Sequence, residues 1–209
     1  MNRLVSAFCL SIVLCVGVFA QADDDYKKNE FYAGFSHQQV GNSGRVPFNG
    51  FEVSAVRNVH RYFGIKADVS AAYRNREFTS PSFVSGGVTF PSVNFESKRS
   101  LYNFLGGVQI KDNASTGRFK PFAQALVGVA HSRNETKYIS CISNCSSPAL
   151  NTSDFAFSDT GVGGAFGGGL DIKVSDRIDF RLIQVDYNPV YTNQRVDNNF
   201  RFGIGFVFK

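Results

Sequence analysis

Residues 199–208 read Asn-Phe-Arg-Phe-Gly-Ile-Gly-Phe-Val-Phe. Phe200, Phe202, Ile204, Phe206 and Phe208 take every second place, and Asn199, Arg201, Gly203, Gly205 and Val207 stand between them. A period of two is a β-strand whose faces meet different surroundings, here one large and apolar and one small or polar. In a water-soluble sheet the apolar face would need a helix or a second sheet over it. The rest of the chain repeats the alternation without supplying such a layer, so the medium that covers this face is read as lipid.

The start of the chain points the same way. Arg3 precedes an almost wholly apolar stretch, residues 4–19, and Ala20-Gln21-Ala22 offers a small-residue cleavage site before three aspartates. This is the pattern of an export signal over residues 1–22, cut after Ala22 or after Ala20, and the apolar run is shorter than the ~20 residues of a membrane helix. Cys9 and Cys15 fall inside it behind Phe8 and Leu14, which are too large for lipoprotein processing, so neither belongs to the mature chain. Residues 23–209 then form one domain. Cys141 and Cys145 remain, and in an exported protein they are expected to close a tight loop as a disulfide. With no nearby histidine or third cysteine they fall short of a metal site. The net charge of +5 is scattered, which predicts solvated loops and interior charge rather than a nucleic-acid partner. No cofactor signature is present: the glycines of 161–169 are not followed by Gly-Lys-Ser/Thr.

Alternation recurs along the mature chain and predicts strands over 30–40, 50–58, 63–74, 95–110, 119–133, 160–174, 177–188 and 199–208. Three short turns (58–61, 111–117, 175–176) alternate with long polar connections (41–49, 77–94, 134–159, 189–197). In the third strand Phe63, Ile65, Ala67, Val69, Ala71 and Tyr73 alternate with Gly64, Lys66, Asp68, Ser70, Ala72 and Arg74. Charges on the second face of a narrow closed barrel persist only when paired. Glu52, Lys66, Asp68, Arg74, Asp171 and Arg181 are therefore expected to neutralise one another in the interior. In the seventh strand the parity switches at Leu182-Ile183, and a β-bulge there leaves Arg181, Gln184 and Asp186 inside. The second face otherwise carries Gly, Ser and Asn, which predicts an interior without an apolar filling, unlike the calyx of a soluble lipocalin.

The expected fold is all-β, an eight-stranded antiparallel up-and-down transmembrane β-barrel with long loops on one side, short turns on the other and both termini in the periplasm. The stretches 101–107, 121–128, 167–187 and 199–205 resemble the eight-stranded outer-membrane barrels of the type found at the N-terminus of OmpA and in OmpX. The resemblance covers nearly the whole mature chain but not the peptidoglycan-binding domain that follows the barrel in OmpA. It implies an outer-membrane location, lipid as the surrounding partner, and assembly by the barrel-assembly machinery. Arg201, Gly203, Phe206 and Phe208 resemble the terminal assembly signal of such barrels, with Lys209 standing after the final aromatic. Three functions follow as expectations. The leading one is a non-enzymatic surface protein whose external loops serve adhesion or recognition of an unidentified ligand. A narrow pore or a passage for a small hydrophobic ligand is the second. A lipid-modifying enzyme is the third, for which His37, His60 and His131 are the available bases; His60 falls in a short turn, and the other two lie in strands with no serine two residues away on the same face.

Overall fold

A computed structural model describes residues 26–41, 44–192 and 195–209; the expected export segment 1–22 lies outside the described residues. Ten strands follow one another: β1 (Asn29–Val40), β2 (Val46–Asn58), β3 (Phe63–Ser80), β4 (Phe83–Ser85), β5 (Val88–Phe90), β6 (Ser92–Lys111), β7 (Phe119–Ser143), β8 (Phe155–Lys173), β9 (Ile178–Thr192) and β10 (Arg195–Phe208). All but β4 and β5 join one closed antiparallel ring in the order β1-β10-β9-β8-β7-β6-β3-β2. The ring closes where the terminal strand meets the first, from Phe31 opposite Phe208 to Gln39 opposite Phe200. Closure leaves no open edge within the ring, which lipid would not tolerate.

The alternation sorts side chains as the periodicity predicts, but in the inverse of a soluble protein. Phe31, Phe35, Ile65, Phe104, Val127, Val162, Ile204, Phe206 and Phe208 are exposed, whereas Glu52, Asp68, Asn103, Asp171, Asp186 and Arg201 are buried. Water-soluble monomers rarely expose contiguous apolar patches beyond a few hundred Å². Here the whole girth of the ring is such a patch, and an acyl-chain environment is the solvent that makes it favourable. Aromatic rings bound this belt. At the end where β1 begins and β10 finishes stand Tyr62, Phe63 and Phe119, and at the opposite end Tyr73, Tyr102 and Tyr191. Tyr73 and Tyr102 meet edge-on at 5.9 Å. From Phe63 to Tyr73 the chain runs about 33 Å along the strand, or about 25 Å along an axis tilted by ~40°, the height of a bilayer core.

The bulge in the seventh barrel strand falls where the parity switch places it. β9 pairs Ile183 with Leu170 and then Arg181 with Asp171, so Leu182 is the extra residue. Leu182 and Ile183 both face outward, and Arg181 and Gln184 both face in. The short turns at the terminal end are closed by side chains: the Ser175 hydroxyl accepts from the amides of Arg177 and Ile178. Between two other turns Arg61 donates to Asp112 at 3.1 Å, and this bond holds the Asp112 carboxyl below its ordinary range.

The expected long loops are largely strand instead. Residues 77–94 continue β3 and β6 as a paired ladder up to Ser80 opposite Val93, capped by the β4–β5 hairpin. That hairpin turns on Gly86 and Gly87, both at positive φ, the pair that a two-residue turn of matching twist requires. Residues 134–159 likewise extend β7 and β8, pairing Thr136 with Phe155. The stretch 189–197 continues β9 to Thr192 and begins β10 at Arg195, and β2 starts at Val46 within the expected loop 41–49. The pairing of β2 with β3 ends at Tyr73, so β3, β6, β7 and β8 rise as a four-stranded wall above one side of the ring.

The mature protein in detergent is expected to migrate faster before boiling than after on a gel. Val127→Arg, on the outward face at mid-belt, is expected to cost about 2–4 kcal/mol when unfolding is measured in lipid vesicles. A face that met water would accept that substitution nearly free.

Candidate functional site

Two regions concentrate polar chemistry, the interior of the ring and the inner face of the raised wall. In the interior the largest fully buried side chains are Arg181, Arg201 and Lys66. Arg201, projecting inward from β10, donates to Asp68 on β3 at 2.8 Å and to Asp186 on β9 at 2.8 Å, and lies 3.5 Å from Glu52 on β2. Lys66 sits 3.8 Å from Glu52 and 3.7 Å from Asp68, and donates to Gln124 at 2.7 Å. Gln124 passes the chain on to Asp186 at 2.8 Å. One turn of the ring nearer the termini, Arg181 donates to Asp171 at 2.8 Å and to Gln184 at 2.7 Å. Lys111 bridges Asp171, at 3.4 Å, and Glu30. Lys209 caps this end on Asp179.

The balance is even. Six acids are buried in the ring, Glu30, Glu52, Asp68, Asp171, Asp179 and Asp186, against Lys66, Lys111, Lys120, Arg181, Arg201 and the nearly buried Lys209. Apolar groups fill the gaps. The Arg181 guanidinium lies over the rings of Tyr32 at 4.4 Å and Phe122 at 3.9 Å. The Tyr32 hydroxyl reaches across Gly34 and Gly203, and a Cβ at either would crowd it. Leu105, Leu126 and Ala165 form a small apolar cluster higher up, which corrects the expectation of an interior without apolar filling.

The structure therefore brings Glu52, Lys66, Asp68, Asp171 and Arg181 together in the interior and leaves Arg74 out. Arg74 shares their parity but lies above the ring, where it donates to the Pro47 carbonyl at 3.3 Å, and among the described residues no carboxylate pairs with it. Arg201, read from sequence only as part of a terminal pattern, is the hub. Its place on the small face of 199–208, between glycines, is the signal that points inward. Gly203 also faces in, and Phe206 and Phe208 face out. Nothing local in the sequence marks Glu30, Lys111 or Asp179 as interior partners; Glu30 and Lys111 stand 81 residues apart.

The histidines are dispersed. The His37 Nδ1 meets the Asn49 side chain at 2.8 Å, the His131 Nδ1 meets Thr160 Oγ1 at 2.7 Å, and His60 lies in a turn. Among the described residues no group of three metal-ligating side chains occurs. Cys141 and Cys145 are joined, and their loop packs on the β4–β5 hairpin, where the Ser147 hydroxyl donates to the Thr89 carbonyl. A cavity of about 600 Å³ lies between them.

On the wall, the continuous register places inward residues in rungs across β3, β6, β7 and β8. One rung is Arg74, Arg99, Asn134 and Phe157, and the next is Arg76, Ser97, Thr136 and Phe155. Above them come Phe78, Phe95 and Tyr138. Phe78 and Phe95 stack at 5.6 Å, and Phe95 meets Tyr138 edge-on at 6.5 Å.

A closed eight-stranded ring with an apolar outside and a filled, ion-paired inside has the architecture of the small outer-membrane barrels. Solved structures of that kind share it. Ail, the attachment invasion locus protein of Yersinia pestis, aligns over 86% of this chain and 97% of its own with a TM-score of 0.53 at 12% identity. The same protein in complex with the heparin analogue sucrose octasulfate gives 0.54 at 13% identity. Neisserial surface protein A aligns over 88% of this chain and 97% of its own with a TM-score of 0.52 at 15% identity. At such identities the likeness is one of fold. No protein-family model matches the sequence, and no curated protein does.

Removing the hub should leave three buried carboxylates, Glu52, Asp68 and Asp186, with only Lys66 and the glutamines Gln124 and Gln184 as partners. Arg201→Met is expected to lower stability by about 3–5 kcal/mol in urea titrations of the lipid-embedded protein. Arg74→Met is expected to stay within about 0.5 kcal/mol of the parent. Equal losses from the two would remove the distinction between interior and wall.

Proposed function

We propose that this chain is an outer-membrane protein that works by display: its barrel is an inert, self-neutralised plug, and the raised wall with its hairpins is the working surface, used for adhesion or recognition without catalysis or cofactor. The observation that carries this reading is the asymmetry about the aromatic girdle. Below Tyr73 and Tyr102 the buried charges balance, six acids against six bases, and most are joined in ion pairs, whereas above them one wall continues for several rungs with polar and aromatic side chains in the open. The short turns, the start of β1 and the end of β10 share the opposite side, which we assign to the periplasm, with residues 1–22 as the removed export signal and Arg201, Gly203, Phe206 and Phe208 as the assembly signal. The disulfide would serve to hold the loop over β4–β5 in one shape.

Other readings have less behind them. An eight-stranded ring has an interior only wide enough for side chains to fill, and here arginines, lysines and Phe122 fill it, which opposes a pore. Catalysis would need a base beside a nucleophile or acid, and His37 and His131 bond to Asn49 and Thr160 instead. Attachment is the role in the printed name of Ail, and a surface role of that class is what this wall would support here.

Truncation separates scaffold from surface. Residues 76–97 and 136–155 can each be replaced by an Asn-Gly turn, because the flanking residues are already paired. The shortened protein should keep its heat-modifiable band, and cells displaying it should lose the attachment that the full chain confers in a binding assay. Attachment equal to the parent's would end the display reading.

A further inference from the structure

We propose that the inner face of the raised wall binds an acidic saccharide, with Arg74, Arg76 and Arg99 taking its sulfate, phosphate or carboxylate groups and the neighbouring aromatic rings taking its apolar sugar faces. This rests on the display reading and names the ligand class of that surface.

The charges on this face are arranged unlike those of an ordinary ladder. Arg74 and Arg99 are directly opposite each other on paired strands, and Arg76 is the next inward residue of β3. Like charges across a ladder repel, and each would ordinarily recruit an acid. The outer face of the same wall does this: Lys98 pairs with Glu96 at 3.1 Å and Arg133 with Glu135 at 2.7 Å. On the inner face the rungs that carry the arginines contain Asn134, Thr136 and Ser97 and no carboxylate. The inward acid nearest in the lattice is Asp159, one rung lower on β8. It lies two strands from Arg99 and three from Arg74, which with the one-rung offset puts their backbones about 12 and 16 Å apart at sheet spacing, more than a Debye length. Three guanidiniums are thus held together, facing a shared space, with the negative partner left out. They line a cavity of about 350 Å³ with Val46, Phe78 and Ser97.

Aromatic rings stand beside them. Phe157 and Phe155 close the same two rungs, 65% and 54% exposed, and the Phe78-Phe95-Tyr138 strip runs along the top. A face that offers bidentate cations, short hydroxyl and amide side chains and flat rings within one sheet matches a ligand that is anionic, hydroxyl-rich and apolar on its ring faces. A saccharide bearing anionic groups has all three properties. A simple inorganic anion would leave the rings without a partner.

The test uses the folded mature protein in nanodiscs, titrated with heparin oligosaccharide at low and at high salt, with desulfated heparin and oligothymidylate as comparison probes. The parent is expected to bind heparin in a salt-dependent way and to lose desulfated heparin. Arg74→Gln, Arg76→Gln and Arg99→Gln together should weaken binding by more than about tenfold and flatten the salt dependence. The outer-face pair Lys98→Gln and Arg133→Gln removes charge from the same wall and should change affinity by less than about twofold. Phe155→Ala with Phe157→Ala should weaken binding several-fold while leaving the salt slope as it was. Competition with the phosphorylated core oligosaccharide of lipopolysaccharide tells the sources apart: displacement assigns the site to the membrane's own glycan, and none assigns it to an external one. Loss equal in the inner-face and outer-face variants, or oligothymidylate binding as tight and as dependent on the three arginines, would overturn the proposal. So would the absence of binding to both heparin and the core oligosaccharide. If attachment still disappears on truncation of the wall in that last case, display stands and only the saccharide falls.

Discussion

The Arg201 guanidinium is the interaction on which the rest of the structure depends. It bonds Asp68 and Asp186 and approaches Glu52, so the terminal strand β10 is tied across the interior to β3, β9 and β2. Two of these strands are not its neighbours in the ring, where β10 lies between β1 and β9. A barrel wall is a single hydrogen-bonded sheet with nothing of its own to set its cross-section, and a tie across the lumen supplies that. The cost of taking such charges out of water is recovered only when each finds its partners. Lys66, Gln124 and Gln184 provide the remaining ones, and the result behaves as one body: removing a single member leaves several others uncompensated.

That interior explains the outside. Because the lumen is occupied by its own ion pairs, little apolar surface can be buried there, and the apolar half of each strand is left to the lipid. Phe48, Leu101, Phe122 and the small cluster of Leu105, Leu126 and Ala165 are apolar side chains buried inside all the same, and the cluster sits where neighbouring strands place Gly128 and Gly163. A Cβ on Gly163 would already stand 3.1 Å from the Ala130 Cβ and 3.5 Å from Leu105, so the small residues make the room that the leucines occupy. Tyr32 uses Gly34 and Gly203 in the same way, and the Arg181 guanidinium then lies over its ring.

How much of this could be read from the sequence depended on whether the two faces of a strand met different media. Within the lipid belt they do, and the alternation of Phe63 to Tyr73 or of Phe200 to Phe208 was plain, as was the parity switch at Leu182-Ile183. Beyond the belt both faces of β3 and β6 meet water, Arg76, Glu77 and Ser97 follow no period, and paired strand looked like loop. The pairings of the interior were legible only in part. Parity put Glu52, Lys66, Asp68, Asp171 and Arg181 inside, yet it put Arg74 there by the same logic, because parity fixes the face and says nothing of the height along the barrel. Which acid meets which base is set by closure: Asp68 and Arg201 stand 133 residues apart. The interior leucines were lost to the assumption that a face rich in glycine is polar throughout.

Height is also what divides the arginines into two populations. Arg201 and Arg181 lie below the girdle, in a ring that closes over them, where an unpaired charge would be intolerable, and acids surround them. Arg74, Arg76 and Arg99 share their inward parity but stand above the rim, where the ring has opened on one side and water reaches them. Hydration removes the need for a buried counter-charge, so these positions are free of the constraint that fixes the interior. Freedom from the constraint does not by itself place three arginines on adjoining positions of one face, nor strip that patch of acids while the opposite face keeps its pairs. The barrel needs none of this for stability. An arrangement that the fold neither requires nor favours, on a wall that rises past the aromatic girdle, is the kind that a ligand accounts for.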